Sequence, residues 1–162
     1  QARYNIACRF YRSNPERVAG IIFVGSYVSG KQIDSIGNTL ERIKAAVKMK
    51  LNRIGFHRQV GLPEEIAMET TKWPLYGING NAESFVEFDA SAELGDIAVP
   101  CLVVQGSADI VSPYDPCALG LIDALPDVEP ELLQGVNHCS MVEDAPATNN
   151  RIARFLEEKI TW

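Results

Sequence analysis

The sequence predicts an α/β fold: a partial parallel sheet with a mostly helical insertion. Three short apolar runs, at 19–26, 99–107 and 130–136, are continuous rather than alternating. Such runs are typical of strands buried on both faces of a parallel sheet. Helical patterns lie between and around them, and strands that alternate with helices indicate parallel pairing with right-handed crossovers.

The first half of the chain predicts one strand and three helices. Residues 2–13 have apolar side chains at helical spacing and lead to the strand at 19–26. Residues 33–54 carry apolar side chains at steps of three and four throughout, which predicts one long amphipathic helix. At 62–73, Pro63 stands at a first-turn position and two glutamates follow it, an arrangement that favours a helix N-terminus.

The second half predicts two strands, each followed by a helix. The strand at 99–107 leads to a helix at 115–124, and the strand at 130–136 leads to a helix at 146–159. The intervening segment 27–95 is too long for a simple crossover and too regular for a linker. We therefore expect a core formed by 1–26 and 96–162, and a helical cap or lid formed by 27–95.

Four aromatic residues stand in the later part of the predicted cap. They are open to two interpretations, because they could line an apolar substrate pocket or form the small core of the cap itself. Trp73 and Tyr76 are the two that we name as candidates for substrate contact. The other two are Phe85 and Phe88.

Composition excludes several classes of function. The net charge of −6 argues against a surface for nucleic acid or anionic membranes. The longest apolar runs are far below the ~20 residues that a membrane-spanning helix needs. The four cysteines form no C-x-x-C pair, and with two histidines they offer no zinc-ligand spacing, so we expect no metal and no cofactor. Four reduced thiols favour a cytoplasmic setting.

Two residues at strand ends are the candidates for chemistry. Asp109 follows the second predicted strand and His138 follows the third. Loops at the carboxyl ends of parallel strands are where α/β proteins place reactive groups. A carboxylate there can hold an imidazole in one tautomer, and the imidazole can then act as a general base. We therefore predict that Asp109 and His138 are catalytic and lie within hydrogen-bond reach.

Other polar residues are weaker candidates. Ser26 follows the first strand, and Ser107 fits the turn that carries Asp109. Cys139 follows a histidine directly, so the two side chains need not meet as a Cys–His pair would. His57, in the insertion, is expected to be a surface or cap residue.

Three segments together resemble the α/β-hydrolase family. The strand and acid loop of that family are similar to "DIAVPCLVVQGSADIVSP", where a proline opens the strand and G-x-x-D closes it. Its last strand, histidine loop and terminal helix are similar to "LLQGVNHCSMVEDAPATNNRIARFLEE". The helix end and strand that follow its nucleophile are similar to "NPERVAGIIFVGS". The insertion stands where the family has its cap.

This resemblance implies roles for the candidate residues. Asp109 would be the triad acid and His138 the base, in a serine hydrolase that cleaves an ester or related acyl bond of a small molecule. The family's nucleophile lies on a G-x-S-x-G elbow, and no such elbow is in this sequence. We therefore expect the nucleophile outside this chain, and the chain alone to be inactive. Self-association or a partner chain with the amino-terminal half would complete the sheet.

A second hypothesis comes from a different class of function. The chain would be a half-hydrolase without catalysis that works as a binding module by association. The length of the natural protein, and the sequence immediately before Gln1, would separate the two hypotheses.

Overall fold

Three parallel strands form the sheet of the structure, which is a computed structural model that describes residues 5–160. They are β1 (Ile21–Val24), β2 (Cys101–Gly106) and β3 (Val128–Leu133), in the spatial order β1-β2-β3. In register, Ile21 lies beside Cys101, and Cys101 lies beside Val128. The prediction of three adjacent parallel strands is confirmed.

Helices surround this sheet and fill the long connection between β1 and β2. Helix α1 (Asn5–Ser13) precedes β1. The β1–β2 connection holds α2 (Gly30–Ser35), α3 (Leu40–Lys48), α4 (Lys50–Gln59), α5 (Glu64–Glu69), α6 (Leu75–Glu87) and α7 (Ser91–Leu94). After β2 come α8 (Leu119–Ala124), α9 (Ser140–Glu143) and α10 (Ala145–Lys159), the last two beyond β3. Within residues 5–160, no helix is long and apolar enough to cross a membrane.

The prediction of one helix over 33–54 is wrong, because the apolar stripe is divided among three helices. Gly37 takes a positive φ of 82° after α2, a conformation that reverses the chain and favours glycine. Thr39 then begins α3 by accepting a hydrogen bond from the backbone N–H of Arg42 on its side chain. Met49 is extended between α3 and α4. The spacing of apolar residues survives these breaks, which is why the sequence did not show them.

The central strand β2 is buried on both faces, as its continuous apolar run predicts. Leu102 and Val104 pack against Phe155 of α10 on one side of the sheet. Val103 belongs to a second apolar cluster on the other side, which includes Leu121 of α8. Alternate residues of a strand point to opposite faces, so an uninterrupted apolar run supplies both layers.

Strand β3 is less buried than the sequence predicts. Within the described sheet it is an edge strand, and Leu133 is the one buried residue in it. Glu129 and Glu131 instead form ion pairs with Arg151 of α10. This polar contact packs the last helix on the sheet and explains two glutamates in a strand.

The helical segment 27–95, between β1 and β2, leaves the core and returns to it at one place. The backbone N–H of Gly30 donates to the carbonyl of Phe88 at 2.7 Å, and that of Ala90 donates to the carbonyl of Val28 at 2.9 Å. The ring of Tyr27 packs edge-on against Phe88, with ring centroids 5.3 Å apart. Gly30 allows this closeness, because a Cβ there would overlap the carbonyl group of Val86.

Gly30→Ala should therefore destabilise the protein by about 1–3 kcal/mol, since the backbone of α6 must shift to make room. Gly55→Ala is the matched control, because Gly55 is inside α4 and a Cβ there meets nothing within 4 Å. It should stabilise the protein by about 0.5–1 kcal/mol through helix propensity. Urea denaturation measures both values, and equal effects of the two substitutions would contradict this packing.

Candidate active site

The loops after β2 and β3 are joined by hydrogen bonds at one edge of the sheet. Because the two strands are parallel neighbours, their carboxyl ends meet there. The N–H of Ser107 donates to the carbonyl of Leu133 at 2.9 Å, and the N–H of Gly135 donates to Oγ of Ser107 at 2.8 Å. Ser107 thus connects the loop that carries Asp109 with the loop that carries His138.

Asp109 and His138 form the hydrogen bond that the sequence predicts. Oδ2 of Asp109 lies 2.8 Å from Nδ1 of His138. The Asp109 side chain is fully buried, whereas 21% of the His138 side chain is exposed. The buried group is therefore the acid, and the imidazole retains access to the exterior.

Five donors surround the Asp109 carboxylate. Oδ1 accepts from the backbone N–H groups of Val111, at 2.7 Å, and Ser112, at 2.9 Å. Oδ2 accepts from Nε2 of Gln105 at 2.6 Å and from Oγ of Ser112 at 3.1 Å, as well as from His138. An ionised carboxylate only accepts hydrogen bonds, so this shell suits the charged form. Sequence reasoning missed Gln105 and Ser112; a glutamine inside the apolar run of β2 was the available signal.

The same contacts set the acidity of Asp109. Burial is the largest influence and by itself would raise the pKa of this carboxyl. The hydrogen bond and charge of His138, with the N–H groups of Ser112 and Val111, outweigh burial, so the pKa lies below its usual value. Asp109 is therefore ionised at neutral pH.

An ionised Asp109 determines the tautomer of His138. Because the carboxylate cannot donate, Nδ1 must carry the hydrogen between them. In the neutral ring, Nε2 then has a free lone pair and can accept a proton. Gly25, at the end of β1, lies against this ring: its φ is +54°, and a Cβ there would be 3.1 Å from ring atoms of His138. Oγ of Ser112 lies 3.0 Å from the carbonyl of Gly25 and shares its one hydrogen between that carbonyl and Oδ2 of Asp109, so all three strand ends meet here.

Asn137 joins the two site loops to the helical segment. Its Oδ1 accepts from the backbone N–H of His138 at 2.8 Å and from that of Ile110 at 3.2 Å. Its Nδ2 donates to the carbonyl of Gln59, at the end of α4, at 2.9 Å. Sequence reasoning missed this residue, because nothing in the sequence shows which loop would come near α4.

The weaker candidates for a nucleophile are placed elsewhere. Oγ of Ser26 donates to the carbonyl of Val24 at 3.2 Å, and Ser107 is engaged in the loop contact described above. Burial, with the nearby charges of Glu143 and Asp109, raises the pKa of the Cys139 thiol to about 11, so the thiol is protonated at neutral pH. Within residues 5–160, no serine, threonine or cysteine side chain hydrogen-bonds to Nε2 of His138. We also expect from the sequence that this nitrogen faces the space near Gln1, and Gln1 lies outside the residues that the structure describes.

A cavity of about 440 Å³ lies between the helical segment and the loop that carries Asp109. Trp73 and Phe85 are among its lining residues, and so is His57. Tyr76, the other candidate for substrate contact, is 82% exposed and does not line the cavity. Phe88 is buried in the apolar core beside Tyr27. Trp73 and Phe85 thus fit the pocket interpretation, Phe88 fits the core interpretation, and Tyr76 fits neither. Val111 and Ile110, next to Asp109, complete the wall nearest the site.

No group of three or more histidine, cysteine or acidic side chains in the described part of the chain could hold a metal ion. All four cysteines are free.

Solved structures with this fold are α/β-hydrolases. The chain is similar to a bromoperoxidase from Bacillus anthracis, with a TM-score of 0.76 and 18% identity over 94% of this chain and 63% of that one. For an esterase from Exiguobacterium antarcticum the TM-score is 0.73, with 15% identity over 95% and 63% of the two chains. An α/β-hydrolase from a Medee basin deep-sea metagenome library gives 0.73, with 14% identity over 98% and 63%.

The chain spans about three-fifths of the length of each of these structures. No family model matches the sequence, and no curated protein matches it. At these identities the likeness shows the fold alone: the chain has the α/β-hydrolase fold and corresponds to part of it, since the matches cover 94% to 98% of this chain and 63% of the solved chains. The predicted fold class is confirmed.

Asp109→Asn should lower the free energy of unfolding by about 2–4 kcal/mol at neutral pH. The amide keeps one acceptor but turns an NH₂ group toward donors from Gln105, Ser112 and His138. Asp96→Asn is the control, because Asp96 is exposed and the change there should stay within about 0.5 kcal/mol. Urea denaturation of both variants measures the difference, and similar values for the two would contradict a satisfied buried carboxylate.

The stability of the chain should also depend on pH through Asp109. Its pKa is lower in the folded chain, so its contribution is complete above the unfolded pKa of about 3.9 and is lost as pH falls through the folded pKa. We expect the free energy of unfolding to fall more steeply below about pH 4 in the wild type than in Asp109→Asn, which has no carboxylate to protonate. Urea denaturation as a function of pH would show this, and parallel curves would contradict it.

Proposed function

Because the chain has the α/β-hydrolase fold, we propose that it is the carboxyl-terminal portion of a serine-type hydrolase that cleaves an ester or related acyl bond. In this proposal Asp109 is the acid of a catalytic triad and His138 is its base. The observation that carries it is the fully hydrogen-bonded Asp109 carboxylate, which accepts from Nδ1 of His138 and leaves Nε2 without a hydrogen.

In the proposed mechanism His138 accepts and then releases one proton in each half of the reaction. A serine from outside residues 5–160 attacks the acyl carbon, and Nε2 of His138 takes the proton of its hydroxyl. His138 then gives this proton to the leaving alcohol as the acyl-enzyme forms. A water molecule then attacks the acyl carbon and gives a proton to Nε2 of His138, which passes it to the serine oxygen as the acid leaves. Asp109 stabilises the imidazolium at both stages. Backbone N–H groups that hold the oxyanion would each contribute ~3–4 kcal/mol.

We propose that residues 27–95 act as the cap of this site. The cavity lies between their helices and the loop after β2. A small-molecule substrate would approach Asp109 and His138 through this space. Trp73 is half-exposed and lines that space, so it is the better supported of the two predicted substrate contacts. Tyr76 would reach substrate only if the cap moved. The free cysteines favour a cytoplasmic setting for this reaction.

The sheet also suggests how the chain associates. Within the described sheet β1 pairs only with β2, so the other edge of β1 carries backbone groups without a strand partner. Such an edge is a template for a strand from another chain. We propose that a second copy, or a chain with the amino-terminal half of the fold, pairs there.

The catalytic proposal predicts different activities for two forms of the protein. The 162-residue chain alone should hydrolyse p-nitrophenyl acetate no faster than buffer. The same chain joined to an upstream half with an elbow serine should hydrolyse it, and His138→Ala should then lower kcat by about 10⁴–10⁶-fold. Ser26→Ala and Cys139→Ala are the controls and should retain turnover.

Two results would contradict this assignment. One is turnover by the 162-residue chain that Cys139→Ala or Ser26→Ala abolishes, because the nucleophile would then lie within the chain. The other is a joined, folded protein without turnover, which would favour the hypothesis of a binding module.

The association proposal predicts that the isolated chain is not a stable monomer. Light scattering coupled to size exclusion should show a dimer or larger species, increasing with concentration, because β1 offers an unpaired edge. Replacing Ile22 of β1 with proline removes one backbone donor and should reduce association. A folded monomer at high concentration would show that the edge is covered within the chain.

A further inference from the structure

The cavity beneath the helical segment is apolar with a basic part. Two arginines, Arg42 and Arg53, are among its described lining residues, and no aspartate or glutamate is. The whole chain, in contrast, has a net charge of −6. A positively charged wall inside an acidic protein selects for anionic ligands.

Arg53 is a buried cation without a counter-ion. Its residue is only 4% exposed, on the inner side of α4. Its Nη1 donates to the carbonyls of Thr70, at 2.8 Å, and Trp73, at 3.0 Å. Its Nε is buried and has no hydrogen-bond partner among the described residues, and none of their carboxylates pairs with this guanidinium. A buried charge is costly unless it is paired, so the unpaired side of Arg53 calls for an anion.

The neighbours of Arg53 do not supply that anion. His57 lies one helical turn away, and its Nδ1 is 2.8 Å from the carbonyl of Arg53, to which it must donate. Its ring stands edge-on to Trp73 with centroids 5.8 Å apart. Arg42 is exposed, and its Nη1 donates to the carbonyl of Gly37 at 2.6 Å. Arg53 is therefore the cation of the cavity lining whose Nε and Nη2 have no hydrogen-bond partner among the described residues.

We propose that this cavity binds a carboxylate-bearing ligand, with the carboxylate on the Nε–Nη2 edge of Arg53. Two oxygens of a carboxylate match the two N–H groups on one edge of a guanidinium. The apolar part of the ligand would lie against Val47, Ile78 and Phe85, which line the same space. The identity of the ligand as a substrate rests on the proposed function: if that function holds, the substrate is an ester or acyl compound that also carries a free carboxylate.

Calorimetry with a matched pair of ligands tests the proposal on the 162-residue chain. The probes are 4-phenylbutyrate and its neutral amide, 4-phenylbutyramide, which differ only in the group that Arg53 would hold. We expect the carboxylate to bind at least about tenfold tighter than the amide. Arg53→Met should bring the ratio of the two dissociation constants close to one. Arg58→Met is the control: Arg58 is on the same helix, is exposed, pairs with Glu64 and lies outside the cavity lining.

Several results would overturn the proposal. They are equal binding of the two probes by the wild type, no binding of either probe, a preference that survives Arg53→Met, and a preference lost in Arg42→Met but kept in Arg53→Met. Arg53→Lys, which keeps the charge but loses the fork, should give an intermediate ratio. The comparison within the wild type needs no variant, so the proposal remains testable if Arg53→Met fails to fold. Because binding is measured without turnover, a failure of the hydrolase proposal would not be mistaken for a failure of this one.

Discussion

The Asp109 carboxylate is a buried negative charge, and its hydrogen-bonding requirements determine how the strand ends come together. A carboxylate shielded from solvent is stable only when its oxygens accept hydrogen bonds. Here donors come from β2 through Gln105, from the following turn through Val111 and Ser112, and from the next loop through His138. Without the charge these donors would lose their acceptor, so the conformation of the turn and the position of the imidazole depend on the carboxylate.

The same turn contributes to both the acid and the cavity. Val111 donates its N–H to Asp109 while its side chain lines the cavity. Asn137 connects the histidine loop to the end of α4, and the N–H of Cys139 donates to the carbonyl of Val60 at 3.2 Å just beyond that helix. Arg53 lies on α4 as well. A shift of α4 would therefore move both the proposed carboxylate subsite and the loop that carries the proposed base.

Part of this architecture could be predicted from the sequence because it depends on local patterns. Continuous apolar runs that end in small residues predicted the three parallel strands. The positions of Asp109 and His138 just after two of them predicted the hydrogen bond that the structure shows. The donors Gln105 and Ser112 were not predictable, because their roles depend on how the turn after β2 folds. Arg53 was not singled out from the sequence, since helical spacing does not show which side chain lies over a cavity.

The central claim is that Asp109 holds His138 with Nε2 free to take a proton. The nitrogen chemical shifts of a ¹⁵N-labelled His138 ring, at a pH where the ring is neutral, test this most directly, with His57→Gln used to assign the two histidines. The account predicts that the hydrogen is on Nδ1 and that Nε2 has the shift of an unprotonated nitrogen. A neutral ring with its hydrogen on Nε2 would contradict it, because His138 could then neither donate to Asp109 nor act as the base.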